Sequence, residues 1–214
     1  MRCYYGEGDV IDIERDVKLG GNLHSKGVMI LSAWLASHFA AKDPMSLSAS
    51  LTFEQNYGEV DGDSASLAEL CALVSALSEL PVRQDLAITG SMNQFGEVQP
   101  IGGANEKIEG FFETCRITGT TGSQGVIIPK TNIQNLMLDA EVVNAVRDGQ
   151  FHIYPVSSVE EAVELLLGKP AGRADRKGDY PRGTVFGAIA RRLAKMREHE
   201  RQEQEAAEKH STIH

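Results

Sequence analysis

The sequence of 214 residues lacks any apolar run of the about 18 residues that a membrane-spanning helix requires. Its first ten residues, MRCYYGEGDV, also lack the apolar segment of a secretory signal. We therefore expect a cytoplasmic protein with no membrane partner.

Cysteine is scarce, and Cys3, Cys71 and Cys115 lie far apart along the chain. An odd and widely spaced set is not typical of a disulfide framework or of a structural zinc site. We expect three reduced thiols and no bound metal.

Two common catalytic and binding motifs are missing from the sequence. There is no G-x-x-x-x-G-K-[ST] loop for nucleotide phosphates, and GTTGSQG at 119–125 has no lysine and is typical of a plain loop. There is also no G-x-S-x-G nucleophile elbow. We expect that this chain binds no ATP by that route and holds no other cofactor.

Positive charge is scarce in most of the chain and concentrated near its end. Residues 1–168 carry 10 Lys and Arg against 23 Asp and Glu, whereas residues 169–214 carry 11 against 7. An acidic body argues against a nucleic-acid-binding module. The cations near the end are interspersed with Glu198, Glu200, Glu203 and Glu205. That mixture is more typical of a solvated helix than of a phosphate-binding stripe, so we expect no nucleic-acid partner.

Hydrophobic periodicity predicts both strands and helices. Alternation predicts strands in DVIDIERDV and SLSASLTFEQ, and a strand pair in DLAITGSM and GEVQPIGG with a turn at Asn93–Gly96. Two further short strands are predicted in GVIIP and FHIYPV. Helices are predicted over 28–41, 65–80, 104–116, 139–147 and 158–167. Paired strands followed by strands alternating with helices predict an α+β fold of mixed small sheets and packed helices.

The composition changes after Gly168, which predicts the end of a domain that covers residues 1–168. Residues 169–183 are rich in glycine, proline and charge, which indicates a linker. Residues 184–214 predict a basic helical tail, whose apolar stripe stops at Met196. We expect the first half of this helix to pack on the protein and the second half to be solvated.

A serine stands at a predicted strand-to-helix junction in VDGDSASLAEL, residues 60–70. Ser64 could cap the following helix, or it could be a nucleophile if a base removes its proton. None of the six histidines carries a supporting motif. Lysine is the alternative base, but its pKa must first fall from about 10.4 toward neutrality.

Lys107, in PIGGANEKIEGFF, is the lysine that suits this task. It lies in the first turns of a predicted helix that begins after Gly102–Gly103, where the positive helix end disfavours the ammonium form. Ile108 and Phe111 could supply burial. The local sequence leaves two interpretations open, a catalytic base and a solvated helix lysine.

Two motifs taken together favour the interpretation of Lys107 as a catalytic base. DGDSAS at 61–66 and PIGGANEK at 100–107 place Ser64 and Lys107 43 positions apart, and they resemble the proteolytic domain of Lon proteases. The resemblance covers about residues 8–168, because GNLHSKGVMILSAWL, VRQDLAITGSMNQFGEVQPIGG, GVIIP and VSSVEEAVELLLG also match. Asp63 before the serine resembles the B-type branch, whereas Asn105 stands where many relatives carry lysine.

The resemblance implies a Ser–Lys dyad, with Ser64 as nucleophile and Lys107 as general base. It implies that Thr89 orients the lysine by a hydrogen bond. The helix after Ser64 offers backbone donors, so we expect the Ser64 N–H to help to stabilise the oxyanion.

Asp61 and Asp63 allow two hypotheses. A carboxylate near Lys107 raises the pKa of the lysine, so one of them could pair with Lys107 in an idle state and release it when residues 57–63 move. Alternatively, both aspartates cap the helix that follows Ser64.

The resemblance further implies a serine endopeptidase that cleaves unfolded polypeptides and is coupled to an ATPase absent from this chain. It implies a homo-oligomer in the form of a hexameric ring, and the start of the chain at the first family strand favours a fragment. The alternatives are a non-catalytic Lon-like module for assembly or nucleic-acid binding, and a stand-alone, ATP-independent peptidase for short peptides.

Overall fold

The computed structural model describes residues 1–6, 8–40, 45 and 47–211, without the side chains of Glu200 and 203–211. Some sequence predictions fall outside the described residues. They concern Ala41 in the helix predicted over 28–41, Ser46 in the strand SLSASLTFEQ, the side chains of Glu200, Glu203 and Glu205, and residues 212–214 of the tail.

The described chain consists of short strands and mostly longer helices. The first half comprises β1 (Arg2–Tyr5), β2 (Val10–Asp12), α1 (Ile13–Asp16), α2 (Asn22–Phe39), β3 (Leu47–Leu51), α3 (Ser66–Ser78), β4 (Leu86–Ile88), β5 (Ser91–Met92) and β6 (Val98–Gln99). The second half comprises α4 (Ala104–Thr118), β7 (Gly125–Pro129), a 3-10 helix (Lys130–Asn135), α5 (Ala140–Arg147), β8 (His152–Val156), α6 (Val159–Leu167) and α7 (Val185–Ser211).

The strands form three small sheets. In the first, β3 lies between β1, which is antiparallel to it, and β2, which is parallel. In the second, the order is β4-β7-β8 and all strands are parallel. β5 and β6 pair as an antiparallel hairpin across the predicted turn. Small mixed sheets with several helices confirm the predicted α+β class.

The parallel sheet has a hydrophobic core on each face, because side chains alternate along a strand. Ile127 of β7 belongs to the main core with residues of α2, α3, α6 and α7. Its neighbours Val126 and Ile128 belong to a second core with residues of α4 and α5. The sheet therefore lies between two packed units. The helix α3 belongs to the unit of the main core, and α4 belongs to the unit of the second core.

The beginning of α7 is part of the main core. Val185, Phe186, Ile189 and Leu193 are at most 2% exposed and belong to the same cluster as α3. Arg192 donates to the carbonyls of Ala76 and Leu77 at 2.6 and 3.2 Å, which satisfies the C-terminal end of α3. The predicted packing of the first half of this helix thus occurs on α3.

Several local predictions were wrong. DVIDIERDV is a strand only to Asp12, because the Asp12 carboxylate accepts a hydrogen bond from Arg15 N and begins α1. The helix predicted over 28–41 begins already at Asn22, within the predicted turn, so His24 is helical. The strand β1 was not predicted.

No helix among the described residues combines the length and the apolar character needed to cross a bilayer. Cys3, Cys71 and Cys115 are free thiols, of which Cys71 and Cys115 are buried.

Candidate active site

Ser64 lies in the turn that leads into α3 and is half-buried. Its carbonyl accepts a hydrogen bond from Gly90 N at 2.9 Å and one from Thr89 Oγ1 at 3.3 Å. Leu67 N, one turn later, donates in return to Gly90 O at 3.1 Å. These hydrogen bonds attach the turn that contains Ser64 to the residues directly after β4. The parallel sheet therefore determines the position of Ser64.

Lys107 reaches the serine from α4. The backbone N–H of Lys107 donates to Gly103 O at 3.1 Å, and Gly103 has a left-handed φ of 68° that glycine adopts readily. Lys107 Nζ lies 2.8 Å from Ser64 Oγ and 3.3 Å from Thr89 Oγ1. The structure thus brings together the three side chains that the motifs singled out 18 to 43 positions apart.

Burial and charge act on Lys107 in opposite directions. Partial burial lowers the pKa of Lys107, because desolvation disfavours the ammonium form, while the Asp63 carboxylate opposes the shift. Burial is the larger cause, so the net effect is a lowered pKa. The neutral amine that a general base requires is correspondingly easier to form.

The two aspartates do not cap α3, so that prediction was wrong. The N-cap of α3 is Ala65, without a side-chain hydrogen bond. Asp63 Oδ2 accepts a hydrogen bond from Ser91 Oγ at 2.8 Å, and Asp61 Oδ1 accepts one from Leu23 N at 3.1 Å. Asp61 therefore caps α2 instead, and its backbone hydrogen bonds lower its pKa. The idle state with an aspartate paired to Lys107 stays a prediction.

Comparison with known proteins gives the family of this fold. Residues 7–169 match the family described as Lon protease (S16) C-terminal proteolytic domain. This chain belongs to the Lon protease family. It is similar to a Lon protease homolog of Escherichia coli (strain K12), with 56% identity over 164 residues, 77% of this chain and 28% of the relative.

Other members of the Lon family give the same result. The identity is 50% over 199 residues with a Lon protease homolog of Haemophilus influenzae, covering 92% of this chain and 33% of the relative. It is 36% over 142 residues with the archaeal Lon protease of Archaeoglobus fulgidus, covering 66% and 21%. The Lon domain described here therefore spans a third or less of the length of these relatives.

The backbone N–H of Ser64 is the donor that we expected to stabilise an oxyanion. Within the described residues this N–H donates to no protein acceptor, whereas the Gly90 and Leu67 N–H groups beside it are paired. Lys107 is an exposed residue and Ser64 is half-buried, so the site is accessible from solvent. A free donor beside the Ser64 hydroxyl is the arrangement that an oxyanion would require.

A buried cluster of ionisable groups lies behind the serine turn and was not predicted. His24 Nε2 is 3.3 Å from Asp12 Oδ1, and His24 Nδ1 is 3.4 Å from Glu69 Oε1 of α3. None of the three side chains is more than 5% exposed. Burial, with a smaller contribution from Asp12, raises the pKa of Glu69 to about 7, although His24 opposes the shift. A histidine in GNLHSKG was the available signal, but the sequence placed it in a turn.

Two buried polar residues that contact Asp63 and the segment before α4 were also missed. Ser91 is the partner of Asp63, and buried Asn132 binds the backbone of Ile101 near the start of α4. Ser91 and Asn132 are 5% and 6% exposed. Buried polar side chains normally have a specific partner, but the partner's position depends on the fold.

Proposed function

We propose that this Lon domain is a serine endopeptidase with a Ser64–Lys107 dyad. The observation that carries the proposal is the distance of 2.8 Å between Lys107 Nζ and Ser64 Oγ. A serine hydroxyl becomes a competent nucleophile only when a base within hydrogen-bond reach takes its proton. The lowered pKa of Lys107 supports this role.

In the proposed reaction, Ser64 Oγ attacks the scissile carbonyl carbon while neutral Lys107 takes the hydroxyl proton. The Ser64 N–H donates to the developing oxyanion, and Lys107 then returns the proton to the leaving amine. Water hydrolyses the resulting acyl-enzyme with Lys107 again as base. Thr89 orients the lysine, and its 3.3 Å contacts with Lys107 Nζ and Ser64 O support that role.

We propose that the substrates are unfolded polypeptides and that the activity is normally coupled to an ATPase on another part of the protein. The length of the relatives, of which this chain spans a third or less, supports a missing part. We also propose that the protein forms a homo-oligomeric ring in the cytoplasm. An ATP-independent peptidase for short peptides is the competing form of the same chemistry.

The test is hydrolysis of casein and of a short peptide between about pH 6 and about pH 10. We expect activity to rise with pH as Lys107 loses its proton, and to be lost in Ser64→Ala, Lys107→Ala and Lys107→Arg, since arginine cannot act as a base. Lys169→Ala is the control, because Lys169 is an exposed lysine outside the site.

The outcomes separate the alternatives. Activity that survives Ser64→Ala contradicts the mechanism. Cleavage of the peptide but not of casein favours the short-peptide form. A folded wild-type chain in which Ser64 does not react with a fluorophosphonate probe favours the non-catalytic module.

A further inference from the structure

Both backbone hydrogen-bonding groups of Ile101, a residue shortly before α4, are bound by one buried side chain. Asn132, in the 3-10 helix after β7, accepts a hydrogen bond from Ile101 N through Oδ1 at 3.1 Å. Its Nδ2 donates to Ile101 O at 2.8 Å. Asn132 is only 6% exposed, so these two bonds are partly shielded from water, and leaving either backbone group unpaired would be costly.

The bound residue Ile101 directly precedes the segment that carries Lys107. Ile101 is followed by Gly102 and Gly103, and α4 begins at Ala104 without a side-chain N-cap. Glycine-rich segments are conformationally permissive, so these two residues alone do not set the direction of α4. The direction depends on contacts that hold the backbone before the glycines and on contacts with the helix itself.

The segment that follows β7 supplies two further contacts to α4. Asn105 Oδ1 accepts a hydrogen bond from Met137 N at 3.0 Å, and Glu109 Oε1 accepts one from Asp139 N at 2.9 Å. Both acceptors are at the surface, whereas Asn132 is buried. Among Asn105, Glu109 and Asn132, the hydrogen bonds of Asn132 therefore face the least competition from water.

The position of α4 matters because the two members of the dyad belong to different packed units. Leu67, one turn after Ser64, is in the main core, whereas Ile108, next to Lys107, is in the second core. The Ser64 carbonyl accepts hydrogen bonds from Thr89 Oγ1 and Gly90 N, whereas Lys107 comes from the packed unit on the other face of the sheet. A small shift of α4 therefore lengthens the Nζ–Oγ distance without disturbing the serine turn.

We propose that Asn132 is a positioning residue for Lys107. It fixes the backbone of Ile101 just before the two glycines and so restricts where they can lead α4, and the amine of Lys107 then meets the Ser64 hydroxyl. The inference rests on the proposed function of Lys107 as general base. Asn132 itself touches neither member of the dyad and takes no part in proton transfer.

The decisive variant is Asn132→Leu, which keeps the branched shape of the side chain and removes both hydrogen bonds. We expect kcat to fall about 10- to 100-fold, the range that a misplacement of about 1 Å produces, and KM to change less than about threefold. We also expect the apparent pKa of the activity to rise, because a loosened Lys107 is better hydrated. Asn132→Asp keeps the acceptor for Ile101 N and should have a smaller effect on kcat.

The matched control is Asn135→Ala, since Asn135 is exposed on the same 3-10 helix. Its kcat and pH profile should equal those of the wild type. Thermal unfolding verifies the fold of each variant, and if Asn132→Leu does not fold, Asn132→Asp decides alone. Unchanged kcat and apparent pKa in a folded Asn132 variant would overturn the inference. Activity retained in Ser64→Ala and Lys107→Ala, measured in parallel, would instead overturn the proposed function.

Discussion

Ser91 Oγ donates a hydrogen bond to Asp63 Oδ2 at 2.8 Å, and this bond holds the carboxylate that directly precedes Ser64. Asp63 still acts on Lys107 electrostatically, because it raises the pKa that burial lowers. The ion pairs found among the described side chains do not include Lys107. Ser91 thus gives Asp63 a hydrogen-bond partner other than Lys107.

Removing that partner should make the lysine a poorer base at neutral pH. In Ser91→Ala, Asp63 is free to approach Lys107, so we expect the apparent pKa of peptidase activity to rise. In Asp63→Asn the charge is lost, and we expect the apparent pKa to fall. Peptide hydrolysis as a function of pH checks both directions. An unchanged profile in Asp63→Asn would show that Asp63 does not act on the base and would remove the idle-state hypothesis.

Thr89 gives a second test of how the lysine is held. Thr89→Val keeps the shape of the side chain but removes the hydroxyl that contacts Lys107 Nζ and Ser64 O. We expect kcat to fall about tenfold, because Nζ loses a fixed partner next to the serine. Thr89→Ser keeps the hydroxyl and serves as the matched control. Equal kcat values for the two variants would assign Thr89 a packing role only.

Glu69 should make the stability of the domain depend on pH. Its pKa is raised from 4.5 in the unfolded chain to about 7 in the fold, so folding favours the protonated carboxyl. This contribution is fully present below the unfolded value and is lost as the pH rises through about 7. Glu69→Gln should therefore increase the free energy of unfolding near pH 8 by up to about 3 kcal/mol, and much less near pH 4.

Denaturant unfolding at both pH values measures this effect. Glu106→Gln is the control, because Glu106 is exposed in the first turn of α4. The same pH dependence in wild type and Glu69→Gln would show that Glu69 is ionised in the fold and compensated by His24.

The packing of α7 predicts that its first half stabilises the whole domain. Leu193 is 2% exposed and belongs to the main core, so Leu193→Ala should lower the free energy of unfolding by about 2–5 kcal/mol. Lys195→Ala, at an exposed position two residues later, should change it by less than about 0.5 kcal/mol. Chemical denaturation gives both values. A small loss for Leu193→Ala, or a separate early transition, would show that α7 unfolds independently.

Local patterns were sufficient for the elements that bury a periodic apolar face. The helix of Leu67, Leu70, Val74 and Leu77, the strand GVIIP and the hairpin turn at Asn93–Gly96 were all predicted near their observed positions. The start of α2 was missed because Asp61, 38 residues away, binds Leu23 N and supports a helix where the local sequence is rich in glycine and polar residues. β1 was missed because its partner β3 is more than 40 residues away.

The sequence by itself determined the α+β class, the family resemblance and the identity of Ser64, Lys107 and Thr89 as candidates, because these depend on residue types and on spacing along the chain. Only the tertiary structure decided which groups meet. In the fold, Asp61 contacts α2 rather than the helix after Ser64, and Asp63 contacts Ser91. His24 lies between two carboxylates, and Asn132 binds the backbone just before α4. Each of these contacts joins residues 12 to 45 positions apart, and no local pattern encodes a partner at that distance.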